Sequence, residues 1–370
     1  MLGGVAVIGI VALAVVLLAS SNGANDNFKG VATLYGSDVL SYRSALLLAS
    51  VATLLGSLSA LAFGSALMTS FSGKGLVPDA LTSDPHFLAA VGLGAAATVL
   101  LATRLGFPIS TTHALVGALV GAGVVRAGAD VSFAHIGSTF VVPLIGSPLL
   151  ASALASAQYP AFRSLRRTLG IEADTCACAG EELVPIVTSR GEAVAARVAT
   201  VAVGSKHECT TRYEGRLVGV EASTALTALH LVSATAVSFA RGVNDSPKIA
   251  ALLLAAPMLA PRHGLVVIAL AMCVGGILGA RRVAETMSHG ITEMSPGQAF
   301  TGNLTTALLV LFASRLGLPV STTHVSCGAL FGIGLVTRRA RWRTIGGILT
   351  AWVTTLPVAA VLAGVFAAAS

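Results

Sequence analysis

The chain has 370 residues, 55% of them hydrophobic and only 11% charged, with a formal net charge of +7. A soluble protein of this length covers its surface with charge at about a quarter of its residues, so the composition excludes a water-soluble globular protein and requires lipid around most of the surface. The basic residues gather at the ends of apolar segments, in "RRTLG", "GARRVAE" and "TRRARWR", which is the distribution of topology signals and not of a nucleic-acid patch.

Residues 3–20 are nearly long enough to cross a bilayer. They lack the basic start of a secretory signal, so they are read as mature structure. "GANDNFK" at 23–29 follows, placing Asp26 and Lys29 in apolar surroundings. Two apolar arms near 86–104 and 108–124 then meet at "PISTTH" (108–113), which predicts a re-entrant hairpin. Proline suits the first turn of a helix and serine or threonine its cap. Ser110, Thr111 and Thr112 therefore open a half-helix whose free N–H groups and positive dipole end face whatever occupies the site.

Residues 158–221 are polar and alternate like short strands in "ELVPIVTS" and "AARVATVAVG". This stretch also carries "CAC" (176–178) and "HEC" (207–209). Cys176, Cys178, His207 and Cys209 offer four soft metal ligands at spacings unlike those of zinc fingers; the competing expectation is reduced free thiols, since a cytoplasmic loop disfavours a disulfide.

Past that stretch the pattern returns. "GVNDSPK" (242–248) repeats Gly-x-Asn-Asp-x-x-Lys, and "PVSTTH" (319–324) lies between arms near 297–314 and 319–336. Between 102–123 and 313–334, fourteen of 22 positions are identical, and the two motif offsets, 219 and 211 residues, nearly agree. The chain is thus read as a duplicated unit: residues 1–157 and 222–370 are membrane repeats, and 158–221 is a cytoplasmic insert. Basic residues flank the second hairpin, whereas acids outnumber bases around the first. The halves then have inverted topology, with both termini external. The expected fold is an all-α integral membrane protein of two inverted repeats with broken helices and re-entrant Ser/Thr-rich hairpins. Internal repeats of this kind mark secondary transporters, whose sites form where the halves meet.

A charge inside the membrane costs about 3 kcal/mol on insertion scales and is a functional-site hypothesis by default. Asp26 with Lys29, and Asp245 with Lys248, are such charges; the plainer alternative is a salt bridge at a membrane edge on one helical face. Two cradles of hydroxyls and amides, from Ser110, Thr111, Thr112 and from Ser321, Thr322, Thr323, suit a tetrahedral oxyanion. An aspartate beside an anion needs either a bound cation or a protonated anion, and a fixed acceptor favours phosphate over sulfate. His113 and His324 either relay protons or cap the helical turn. Gln298 and Asn303 lack polar counterparts in the first half, where Phe87 and Gly92 stand; they either break the symmetry of the site or make ordinary interhelical hydrogen bonds.

The duplicated Gly-x-Asn-Asp and Pro-x-Ser-Thr-Thr-His segments resemble the inorganic phosphate transporter (PiT) family of cation-coupled symporters. The resemblance implies transport of inorganic phosphate with Na⁺ or H⁺, anion binding by Ser110, Thr111, Thr112, Ser321, Thr322 and Thr323, and phosphate or cation contacts by Asn25, Asp26, Asn244 and Asp245. Many family members read Asn-Asp-x-x-Asn where this chain has Lys29 and Lys248. A lysine offers no oxygen to Na⁺, so coupling is expected to shift toward protons, unless both lysines snorkel to the interface. The expected function is phosphate import into the cell by a multi-pass protein of the cell membrane, with no cofactor beyond the co-transported ion. Its partners are phosphate, the coupling cation and lipid, with no nucleic acid, and a homodimer is among the open assemblies. The alternatives are a sulfate permease of the same architecture and an anion channel. No Ser–His dyad with an orienting acid, no His-Glu-x-x-His and no P-loop stands in the sequence, so neither an enzyme nor an ATP-driven pump is expected.

Overall fold

Apolar runs joined by Gly-, Ser- and Pro-containing turns fold as long helices, because lipid leaves every backbone N–H and C=O to be satisfied within the chain. The computed structural model describes residues 2–187, 189, 191, 193–254 and 261–370. Before the insert run α1 (Leu2–Asp26), α2 (Tyr42–Phe63), α3 (Pro85–Leu105), α4 (Thr111–Ala127) and α5 (Val142–Thr168). Three strands follow: β1 (Thr175–Val187), β2 (Ala193–Ser205) and β3 (Leu217–Glu221), with α6 (Lys206–Arg212) between the last two. The second set is α7 (Ala222–Ala250), α8 (Pro261–Gly279), α9 (Pro296–Arg315), α10 (Thr322–Thr337) and α11 (Trp342–Ala369). Among the described residues, eight helices are long and apolar enough to cross a membrane, so this is a multi-pass membrane protein.

The chain is not all-α, because the insert is built on an antiparallel sheet of order β2-β1-β3. β1 pairs with β2 from Thr175↔Ser205 to Val187↔Ala193, and with β3 from Cys176↔Glu221 to Gly180↔Leu217. A capping box starts α6: Ser205 accepts from the Glu208 N–H while the Glu208 carboxylate accepts from the Ser205 N–H. That backbone bond holds the Glu208 carboxyl below its usual range.

The two helix sets mirror one another in their packing. α1 packs on α3 and α7 on α9; α3 packs on α4 and α9 on α10. Other large contacts cross between sets. α1 lies against α8 and α7 against α2, while α4 lies against α11 and α10 against α5. Small residues make the crossings close, as is usual where lipid supplies no hydrophobic drive between helices. A Cβ at Gly23 would land on the Met272 carbonyl oxygen, and one at Gly242, its repeat-mate, on that of Thr53. Gly121 meets Ala360 and Gly332 meets Ser152 in the same way.

Each hairpin reverses at one glycine. Gly106 (φ 78°) and Gly317 (φ 67°) both hold the left-handed conformation, which a side chain would strain. The following Phe107-Pro108 and Leu318-Pro319 lead into the next helix.

Because the crossings have no room for a Cβ, Gly121→Leu and Gly332→Leu should each force two helices apart. Overpacking of this kind costs about 1–3 kcal/mol or more. Both variants are expected to lose the monodisperse peak in size-exclusion chromatography and to melt earlier, whereas Gly146→Ala, with open space around its Cβ position, should behave as the parent does.

Candidate functional site

The two Asn-Asp-x-x-Lys segments are held differently. Asn25 and Asp26 end α1 and Lys29 lies in the turn beyond it, whereas Asn244, Asp245 and Lys248 stay within α7, which continues through Pro247. All six side chains are buried. The lysines therefore do not snorkel to an interface, and both pairs lie inside the protein.

Asn25 ties α1 to the first hairpin. Its Nδ2 donates to Thr103 Oγ1 (2.9 Å) and to the Phe107 carbonyl (3.0 Å), and its Oδ1 accepts from the Ile109 N–H (3.1 Å). Asn244 does the same for the second: Oδ1 accepts from Ser314 Oγ (3.1 Å), and Nδ2 donates to the Val320 carbonyl (3.4 Å) and to Asp245 Oδ1 (3.0 Å).

The ammonium groups then join the halves. Lys29 Nζ donates to Asn25 Oδ1 (2.8 Å), the Ile109 carbonyl (2.9 Å) and Thr323 Oγ1 (2.7 Å), and pairs with Asp26 Oδ1. Lys248 Nζ donates to the Val320 carbonyl (2.7 Å) and Thr112 Oγ1 (2.9 Å), with Asp245 Oδ1 at 3.5 Å. Each lysine thus binds the turn carbonyl of its own hairpin and the threonine of the other one. The outer carboxylate oxygens face the neighbouring threonines: Thr111 Oγ1 reaches Asp26 Oδ2 (3.4 Å) and Thr322 Oγ1 reaches Asp245 Oδ2 (3.5 Å).

Ser110 and Ser321 are the N-caps of α4 and α10, accepting from the N–H of His113 (3.1 Å) and His324 (3.2 Å). Their oxygens serve the helix ends, while the threonines of the same motifs reach the charged groups. The His324 ring bonds the Ser321 hydroxyl (Nδ1···Oγ 2.7 Å) and lies 4.5 Å, centroid to centroid, from that of His113. Gln298 and Asn303 make interhelical bonds, to Tyr159 and Thr33 respectively.

The proposed metal quartet does not assemble. Cys176, Cys178 and Cys209 bring their sulfurs within 4.8 Å of one another, but Cys178 and Cys209 form a disulfide, against the expectation of free thiols. His207 is exposed, because two residues along a helix point to opposite sides: when Cys209 faces the sheet, His207 faces away.

Four participants lie outside the two motifs. Asn22 donates to Asp26 Oδ2 (3.1 Å) and Thr111 Oγ1 (2.8 Å). Thr103 and Ser314, repeat-mates, orient the two asparagines. Arg241 is fully buried one helical turn before Asp245. An arginine in mid-run, in "SFARGVNDSPK", was signal enough to find it.

Removing one member of a buried ion pair leaves the other uncompensated, at a cost of about 3–5 kcal/mol. Lys29→Met should therefore lower the melting temperature sharply, and Asp26→Asn added to it should restore most of the loss. A double variant no more stable than Lys29→Met would show that Lys29 does not compensate Asp26.

Residues 22–363 match the model of the phosphate transporter family. The chain is 28% identical to a candidate phosphate permease of Pyrococcus horikoshii over 93% of its own length and 92% of that protein's. It is also 28% identical to the chloroplastic inorganic phosphate transporter 2-1 of Arabidopsis thaliana, over 93% of this chain and 69% of that one. A solved sodium-dependent phosphate transporter has the same fold, with a TM-score of 0.76 and 98% of both chains covered at 20% identity. With a family match spanning most of its length and the duplicated Asn-Asp and Ser-Thr-Thr motifs gathered at one buried site, the chain belongs to the phosphate transporter family, a family of transporters and not of enzymes.

Proposed function

We propose that the protein imports inorganic phosphate across the cell membrane by symport with protons. The observation that carries this reading is the reciprocal crossing of the two lysines onto the threonines of the opposite hairpin. It brings the starts of α4 and α10, where backbone N–H groups are free and the dipole is positive, to one buried place between the halves. Ser110, Thr111, Thr112, Ser321, Thr322 and Thr323 with Asn25 and Asn244 are the phosphate-binding set; Asp26, Asp245, Lys29 and Lys248 carry the coupling.

The choice of proton over sodium follows from the surroundings of Lys29. Its ammonium sits among an amide oxygen, a carboxylate, a backbone carbonyl and a hydroxyl, a set of oxygens of the kind a hard cation takes. The chain's own ammonium fills that shell, and Lys248 fills a similar one.

The inverted arrangement, with both termini external and the insert cytoplasmic, belongs to the same proposal; against the last stands the Cys178–Cys209 disulfide, a bond that a reducing cytoplasm disfavours. Charge placement supports it; helix length agrees in the second hairpin, where α10, with 16 residues, spans about 24 Å at 1.5 Å per residue, whereas α3 and α4 of the first are long enough to cross. The hydrocarbon core is about 30 Å thick, so an arm of the length of α10 suits a hairpin that turns back inside the membrane.

In proteoliposomes, labelled phosphate uptake should be driven by a pH gradient alone and be unchanged by a Na⁺ gradient. Strictly Na⁺-dependent uptake would discard proton coupling and leave the symporter. Uptake of sulfate in place of phosphate would move the substrate, and flux that never concentrates the anion would make the protein a channel.

A further inference from the structure

Five formally charged side chains are buried among the described residues: Asp26, Lys29, Arg241, Asp245 and Lys248. Lys29 and Lys248 are matched to the two aspartates. Arg241 is not. It is 1% exposed, and its Nε, Nη1 and Nη2 find no hydrogen-bond partner among the described residues. An arginine presents five N–H donors in a fixed fork and does not give up its charge, so a guanidinium buried without partners is a large cost for the fold to carry.

Its place in the repeat says where that charge acts. At the 219-residue offset that aligns Asp26 with Asp245, Arg241 corresponds to Asn22, and Asn22 is the residue whose amide bridges Asp26 to Thr111. Arg241 and Asp245 are four residues apart in α7 and share a face. The buried group as a whole holds three cations against two carboxylates, and the positive ends of α4 and α10 add to the surplus.

We propose that Arg241 is an anion-binding residue of this site, whose unpaired guanidinium fork receives the transported oxyanion and whose surplus charge the anion neutralises. The inference rests on reading the site as that of a phosphate carrier, and adds to the twofold set of threonines and asparagines a residue that only one half possesses. A fork of parallel N–H donors matches a tetrahedral oxyanion two oxygens at a time, a geometry that an ammonium cannot reproduce.

The test is equilibrium binding of labelled phosphate to the purified full-length protein, with thermal unfolding alongside, for the parent, Arg241→Gln and Arg241→Lys. Arg241→Gln is expected to weaken phosphate binding at least about tenfold. It should also raise the melting temperature of the substrate-free protein, because an uncompensated buried charge has gone; a merely structural arginine would lower it. Phosphate binding by Arg241→Gln at the parent's affinity would overturn the inference while leaving the phosphate carrier intact. Should that variant not fold, Arg241→Lys decides: it keeps the charge without the fork and should bind several-fold more weakly, and parental affinity there overturns the proposal. A parent protein that binds no phosphate would overturn the functional reading itself. If it binds sulfate instead, the same three proteins compared with sulfate still test Arg241.

Discussion

The centre of this protein is organised by two ammonium groups, each of which reaches across to the other half of the chain. Lys29 donates to the hydroxyl of Thr323 and Lys248 to that of Thr112. The two hairpins must therefore approach one another at their turns, and the helices that carry them must cross between halves. The crossings of α1 with α8 and of α7 with α2, closed by Gly23 and Gly242 on opposing carbonyls, hold the lysine-bearing segments at that depth.

The same constraint explains why the motifs contain what they do. The prolines and Gly106 or Gly317 end one arm and aim the next; the serines cap the following helix. The asparagines lock the motif to the turn, leaving the carboxylates and threonines facing one another.

Much of this was legible in the sequence because duplication exposes it. A hexapeptide that returns after 211 residues in otherwise apolar surroundings marks the two turns, and the helix arms fall within a few residues of where the apolar runs place them. The strands of the insert were visible as alternation. The crossing of the halves was not: periodicity tells which face of a helix is apolar, and in a helix apolar all round it says nothing about the neighbour. Thr103 and Ser314 were hidden for a related reason, being ordinary residues of a membrane helix until an asparagine points at them. The Cys178–Cys209 disulfide was missed because compartment was weighed above proximity, and the sheet brings residues 31 apart together.

The repeat is informative also where it fails. α1 stops at Asp26, whereas α7 runs on past Lys248, and Arg241 stands where the first half has Asn22. Two identical halves would hold equal numbers of opposite side-chain charges, leaving only the positive helix ends to favour an anion. Placing one arginine where the other half has an asparagine tips that balance without disturbing the paired bonds around the lysines. A buried excess charge is costly in a membrane; if Arg241 receives the anion as proposed, the anion that relieves the excess also meets the residues of both halves. On this view substrate binding and closure of the halves are favoured by one and the same electrostatic term, and a carrier built from near-identical repeats needs a single unmatched residue to supply it.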